Sequence, residues 1–248
     1  MKIVYSEAKV FQSLMEAMGK IVDEVALVAD EEKVTMKAID PAQVVMMQIT
    51  IPKTAFLEYE VEGEEKLGFE ISNLVKFLKR AKKGYQLELG DEEEGAKLRI
   101  VLRGNLIKKY VIPNLEVAEI ELPDVSQLEY SVEALLLASV LKEAIRDIEA
   151  VSDTVIIEAP DENTLIFRGP GTTETVTKVT TASPAVISLT VNEPAKAAYD
   201  LAYLKHIVSL TKVSDNVTIR FANDAPLYLR FDVLAGGYAE YVLAPQAM

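Results

Sequence analysis

Residues 61–80, VEGEEKLGFEISNLVKFLKR, lie over residues 191–210, VNEPAKAAYDLAYLKHIVSL, at a shift of 130 positions. Val61 meets Val191, Lys66 meets Lys196, Phe69 meets Tyr199, Glu70 meets Asp200 and Leu74 meets Leu204. Outward from this pair, DEEKVTMKA (30–38) lies over DENTLIFRG (161–169) at 131, and KYVIP (109–113) over YVLAP (241–245) at 132. The helical pattern at 7–20 matches the one beginning at 133, at a shift of 126. Slowly drifting offsets are what loop-length changes leave in a duplicated unit. Four matches in one order imply two copies of a unit of about 120 residues, joined near 117–129.

Each copy has the same grammar. Period-2 alternation marks strands at Val34, Met36, Ala38; at Leu98, Ile100, Leu102; at Val217, Ile219, Phe221; and at Leu227, Leu229, Phe231. Asp30-Glu-Glu32, Gly104-Asn105 and Gly236-Gly237 separate the runs as turns. Two helical patterns accompany the strands of each half, at 7–20 and 72–83, then at 133–149 and 200–212. Each has one apolar stripe at i, i+3/i+4, i+7, as in Leu74, Phe77, Leu78 and Ala81, so each packs on one side only. Many strands with a few one-sided helices imply an α+β unit, helices covering one face of antiparallel sheets.

Composition removes several function classes. The chain has 248 residues, of which 50% are hydrophobic, so a large core is expected. It has no Cys, which excludes disulfides, thiolate metal sites and a Cys nucleophile, and its one His, His206, sits within a helical stripe. There is no P-loop, nucleophile elbow or dinucleotide fingerprint, and the acidic runs 62–65 and 91–94 lack calcium-loop order. Neither an enzyme activity, a cofactor nor a metal is expected. No stretch approaches about 18 uninterrupted apolar residues, so no membrane partner is expected, and the start of the chain carries acidic and polar residues too early for a signal peptide.

Charge is distributed unevenly. The net charge is −13, from 26 Lys+Arg against 39 Asp+Glu. The four helical patterns carry 0, +5, −2 and +1, a net +4, which leaves −17 on the rest. The run of cations at Lys76, Lys79, Arg80, Lys82 and Lys83 contains no acid, and Lys205, Ser209 and Lys212 share one stripe. A cationic helix face on an acidic body is a surface for phosphates, where Lys and Arg displace counterions rather than read bases.

Several stretches resemble the sliding clamps of the proliferating cell nuclear antigen family. They are Ala38-Ile-Asp-Pro-Ala-Gln-Val-Val-Met-Met47 after a strand, Asn114-Leu-Glu-Val-Ala-Glu-Ile-Glu-Leu-Pro123 as a linker, Asn223-Asp-Ala-Pro-Leu227, and the ending Tyr241-Val-Leu-Ala-Pro245. The resemblance covers the whole chain, is nearest to archaeal members, and implies two tandem clamp domains, 1–116 and 130–248, with a connector loop at 117–129. It further implies a closed ring of three subunits, with the helices on the inner face around double-stranded DNA, held without regard to sequence. Such a ring is a polymerase processivity factor, set on DNA by a clamp loader. Polymerase, flap endonuclease and DNA ligase bind it through short peptides. The implied place is the cytoplasm of an archaeon, at the nucleoid, or the nucleus of a eukaryote. A peptide-binding scaffold that does not encircle DNA, and one subunit of a heterotrimeric ring, are the other readings.

By family position, the DNA-lining residues are Lys20, Lys76, Lys79, Arg80, Lys83, Arg146, Lys205 and Lys212, while Gln12, Ser13 and Ser209 stand where other members carry lining residues. The partner-peptide pocket is implied at Ile39, Gln43, Val44, Met46, Ile120, Leu122, Pro123, Pro226, Ala244 and Pro245, with Met46 and Met47 adding adaptability. Apolar Ile120 and Leu122 stand out on an otherwise acidic linker. Ring closure is implied between edge strands near 106–112 and 173–180, involving Lys108, Lys109, Thr175 and Thr177. The resemblance also implies that Lys108 pairs with Glu143 or Asp147 across the joint.

Overall fold

In the computed structural model, residues 1–125 and 127–247 are described; the expected connector 117–129 includes Ser126, and the expected second domain ends at Met248, both outside the described residues. The chain forms two compact units. One comprises Met1–Asp40, Met47–Leu122 and Val233–Ala239; the other comprises Pro41–Met46, Pro123–Asp232 and the chain from Glu240 onward.

The first half runs β1 (Lys2–Tyr5), α1 (Ala8–Met18), β2 (Glu24–Ala29), β3 (Lys33–Ile39), β4 (Val45–Pro52), β5 (Phe56–Glu60), β6 (Glu65–Glu70), α2 (Ile71–Leu78), β7 (Gln86–Glu92), β8 (Lys97–Arg103) and β9 (Ile107–Pro113). Its strands form one sheet in the order β5-β1-β7-β8-β9, and β4-β3-β2-β6 lie side by side as part of another. Neighbours β1–β5, β1–β7, β2–β3, β2–β6, β7–β8 and β8–β9 run antiparallel, with Gln86 opposite Arg103 in β7–β8 and Val101 opposite Lys109 in β8–β9. In β3, Val34, Met36 and Ala38 are buried and alternate with partly exposed residues, as a sheet covered on one face requires. Phe11, Leu14, Met15 and Met18 give α1 its buried stripe, which packs against α2.

The second half repeats this order. It runs β10 (Val132–Leu137), α3 (Ala138–Glu149), β11 (Thr154–Asp161), β12 (Thr164–Gly169), β13 (Thr175–Thr180), β14 (Val186–Val191), β15 (Ala195–Asp200), α4 (Leu201–Leu204), β16 (Asn216–Phe221), β17 (Leu227–Asp232) and β18 (Tyr238–Leu243). Its strands form one sheet in the order β13-β12-β11-β15, and β14-β10-β16-β17-β18 lie side by side as part of another. In both halves a helix follows the first strand and another follows the sixth. The duplicated α+β unit inferred from the repeat is therefore what the chain folds into.

Three helix boundaries differ from the sequence reading by more than two residues. Residues 133–137 are strand β10, so the third helix begins at Ala138 and not at 133. The true shift between α1 and α3 is thus 130, the same as in the quoted pair. Ala8, Phe11, Leu14, Met15 and Met18 then fall on Ala138, Leu141, Ala144, Ile145 and Ile148, all buried. The second helix ends at Leu78 instead of 83. The fourth is α-helical only to Leu204, where Asp200 caps it by accepting the Ala202 N–H at 2.8 Å, and continues as a 3₁₀ turn over Lys205–Lys212. The β-branched and hydroxyl residues Ile207, Val208, Ser209 and Thr211 are weak helix formers, which accounts for the tighter winding.

Candidate nucleic-acid interface and partner site

The helices place the expected DNA-lining cations as follows. Lys76 is exposed on α2. Lys79 and Arg80 form the turn after it, closed by the Arg80 N–H to the Phe77 carbonyl at 2.9 Å. Buried Ala81 anchors that turn, so Lys79, Arg80, Lys82 and Lys83 project around it into solvent. The positive run is therefore carried by a turn rather than by a helix face. Lys20 is exposed in the turn after α1, Arg146 on α3, and Lys205 and Lys212 on the 3₁₀ segment. Among the described residues, Lys205 pairs with Glu149 of α3, whereas Lys20, Lys76, Lys79, Arg80, Lys83, Arg146 and Lys212 have no carboxylate within 4.0 Å. Gln12 bridges Lys9 and Glu16 along α1 at 2.8 and 2.7 Å, and Ser13 is buried, so neither offers a cation.

Strand β9 ends its sheet on one side and β13 ends its sheet likewise. Ile107 is 76% exposed, Val111 41% and Val176 48%, so apolar side chains sit uncovered on both edges. The Tyr110 ring stacks on Phe77 at 4.2 Å, which ties β9 to α2. Lys108 Nζ donates to the Arg80 carbonyl at 3.4 Å, and Lys109 pairs with Glu92, so Lys109 already has a partner within its own unit. Glu143 and Asp147 are exposed on α3; Thr175 and Thr177 are half-buried on β13.

Of the expected pocket residues, Gln43 is exposed in a left-handed conformation (φ 56°), and Val44 is half-buried beside it. The Ala244 N–H donates to the Val44 carbonyl at 2.9 Å, which brings the 43–44 loop to the Ala244-Pro245 segment. Ile39, Met46, Ile120, Leu122, Pro226, Ala244 and Pro245 are half-buried and Pro123 is exposed. Met47 is fully buried, so it belongs to the core and not to an adaptable surface; in β4 it alternates with Met46. Ile120 borders a cavity of about 290 Å³ within the first unit, lined mainly by polar groups of β2, β3 and β4.

Sequence reasoning missed Tyr130. Its hydroxyl is buried with no hydrogen-bond partner among the described residues, and its ring lies 6.3 Å from that of Tyr228. Burial raises the pKa of Tyr130, and burial together with a 2.7 Å hydrogen bond to Glu240 raises that of Tyr228. The Arg220 guanidinium lies 5.2 Å from the Tyr228 ring centre. An aromatic beside Glu129 in an acidic linker was the available signal. His206 packs edge-on against Tyr203 at 5.6 Å, with no metal-holding cluster of His, Asp or Glu among the described residues.

Models of the proliferating cell nuclear antigen N-terminal and C-terminal domains match residues 1–125 and 124–246. The chain belongs to the proliferating cell nuclear antigen family. Within this family, the protein named DNA polymerase sliding clamp from Pyrococcus horikoshii is 36% identical over 248 residues, covering 99% of this chain and 98% of its own. The DNA polymerase sliding clamp 1 of Aeropyrum pernix is 34% identical over 96% of this chain and 97% of its own. Crystal structures of two other family members superimpose closely. Thermococcus kodakaraensis PCNA has a TM-score of 0.89 at 33% identity over 99% of each chain. The match to a PCNA2–PCNA3 complex from Sulfolobus tokodaii has a TM-score of 0.92 at 27% identity over 100% of each chain. Two tandem domains of this family thus account for the whole fold.

Proposed function

We propose that this chain is a polymerase processivity factor: a three-subunit ring that encircles double-stranded DNA, slides along it and tethers replication proteins. Full-length likeness to proteins named DNA polymerase sliding clamp carries this reading. The charge layout supports it. A sliding ring needs attraction to phosphate without base contacts, and exposed unpaired cations on the helices and the turns that follow them, in an acidic chain, supply that. An acidic remainder discourages DNA from binding elsewhere.

The domains are 1–116 and 130–248 with the connector at 117–129. Lys20, Lys76, Lys79, Arg80, Lys83, Arg146, Lys205 and Lys212 face the duplex. Uncovered β9 and β13 pair between subunits, because an exposed apolar edge in a soluble protein needs a partner strand. Ile39, Gln43, Val44, Met46, Ile120, Leu122, Pro123, Pro226, Ala244 and Pro245 receive a short helical turn with aliphatic and aromatic anchors, carried by polymerase, flap endonuclease or ligase. A clamp loader opens the ring, which has no reaction of its own and works at the nucleoid.

Retention on nicked circular DNA tests the ring. A trimer by light scattering, held on circular DNA and released on linearisation, is the expected result. A monomer that does not stay on circular DNA, or a trimer formed only with a paralogous chain, overturns the homotrimeric form. Titration with a peptide from a replicative polymerase tail tests the pocket. Ile120→Ser with Leu122→Ser is expected to abolish binding, and undiminished binding contradicts the site.

A further inference from the structure

We propose that Asn114 is a positioning residue that straps the chain leading into the connector to the free edge of β6 and thereby sets the resting place of Ile120 and Leu122. This rests on the peptide pocket proposed above. Strand β6 is the last strand of its sheet, so one side of its backbone lacks a neighbouring strand. The Leu115 N–H donates to the Gly68 carbonyl at 2.9 Å, and the Gly68 N–H donates to Asn114 Oδ1 at 2.7 Å. Both backbone groups of Gly68 are thereby engaged by 114–115.

The same asparagine reaches the β7–β8 turn. Asn114 Nδ2 donates to the Gly95 carbonyl at 2.8 Å and its backbone N–H to the Ala96 carbonyl at 3.0 Å. The amide accepts from a strand and donates to a turn at once; a carboxylate of the same reach keeps the first bond and loses the second. Close approach is built in as well. A Cβ at residue 68 would lie 2.0 Å from the Leu115 carbonyl oxygen, so only glycine lets the connector lie this near.

Lys66 adds a second tether, its Nζ 2.8 Å from Glu119 and 3.3 Å from Glu64. Val117 and Ile120 border the 290 Å³ cavity, with Val25, Thr35, Lys37 and Gln48 among the residues on its other side. The connector is thus held through residue 119 and overlies open space at Ile120. Where that first stretch sits decides where the next two apolar side chains point.

The test combines affinity with local exchange. A labelled replicative polymerase tail peptide is titrated into the full-length protein, and amide hydrogen exchange is read at Gly68 and Leu115. Asn114→Ala is expected to weaken the peptide about tenfold, from loss of the paired hydrogen bonds, and Asn114→Asp less. Exchange at both amides should accelerate, while trimer mass and retention on circular DNA stay as in wild type. Lys66→Glu should weaken the peptide, and adding Glu119→Lys should restore it; a merely structural role predicts no such rescue.

Faster exchange with affinity within about twofold of wild type overturns the proposal, as does a charge-swapped pair no better than Lys66→Glu alone. If Asn114→Ala lowers global stability, the charge-swapped pair decides. Failure of the pocket itself reads differently: the Ile120→Ser, Leu122→Ser protein then binds peptide as wild type does, or wild type does not bind it.

Discussion

Lys205 and Glu149 are both about half exposed, at 46% and 48%. Exposed pairs of this kind contribute at most about 1 kcal/mol, so a phosphate can replace the carboxylate with little loss. If Lys205 faces the duplex as proposed, Glu149 competes with phosphate for it. In Glu149→Gln, retention on DNA should persist to higher salt, with the log–log salt dependence steeper by about 0.9 for each lysine freed. Lys205→Gln should do the reverse. Unchanged salt titrations in both variants place Lys205 away from DNA. Tyr59 offers a pH test. Its hydroxyl donates to the Asp30 and Lys33 carbonyls at 2.6 and 2.8 Å, and burial, with the Asp30 and Glu32 charges, raises its pKa from 10.0 to about 12. The folded state holds that proton more tightly than the unfolded chain. The contribution is complete below pH 10 and fades as pH rises towards 12. Tyr59→Phe should flatten the stability profile measured by urea unfolding across that window. Asn114, by contrast, was illegible as a latch, because its partners at 68, 95 and 96 are known only once the strands are placed.

The elements divide into those whose pattern is local and those whose limits are tertiary. Alternating burial in β3 and the stripe of α1 follow from spacing alone, and both were readable. Residues 133–137 are rich in helix formers yet form β10, because pairing with β14 and β16 outweighs a propensity worth tenths of a kcal/mol per residue. Nothing before Gly84 signals the end of α2; burial of Ala81 and the bond from Tyr85 N–H to the Lys82 carbonyl at 3.1 Å turn the chain instead. With the shift set at 130, Leu141 is the counterpart of Phe11, and both are fully buried. Leu141→Ala should cost about 2–5 kcal/mol in urea unfolding followed by circular dichroism. A loss below about 1 kcal/mol would contradict its place in the core. On β9 the expectation is opposite. Ile107→Glu with Val111→Glu should leave the protomer folded, since both side chains are exposed, yet shift sedimentation from trimer towards monomer.

At the scale of the molecule, the repeat was the most legible feature, since element order follows it through both halves. The pocket was legible only by likeness, because Ile39, Val44, Ile120 and Pro245 are scattered along the chain and share no spacing. Charge behaves as a whole-molecule property: a net −13 hides the exposed cations of the 79–83 turn. Charge reversal at Lys76, Lys79 and Arg80 together should reduce loading on DNA, more severely as salt rises, and unchanged loading would remove that turn from the lining.

The bare flanks of β9 and β13 also make concentration a determinant of heat resistance. If folded protomers are held by mutual pairing, mass action adds to their stability as the protein becomes more plentiful, so the melting temperature climbs with dose. Dilution removes that contribution and leaves each protomer with Ile107, Val111 and Val176 in water. For such a chain, scarcity itself is a denaturing condition.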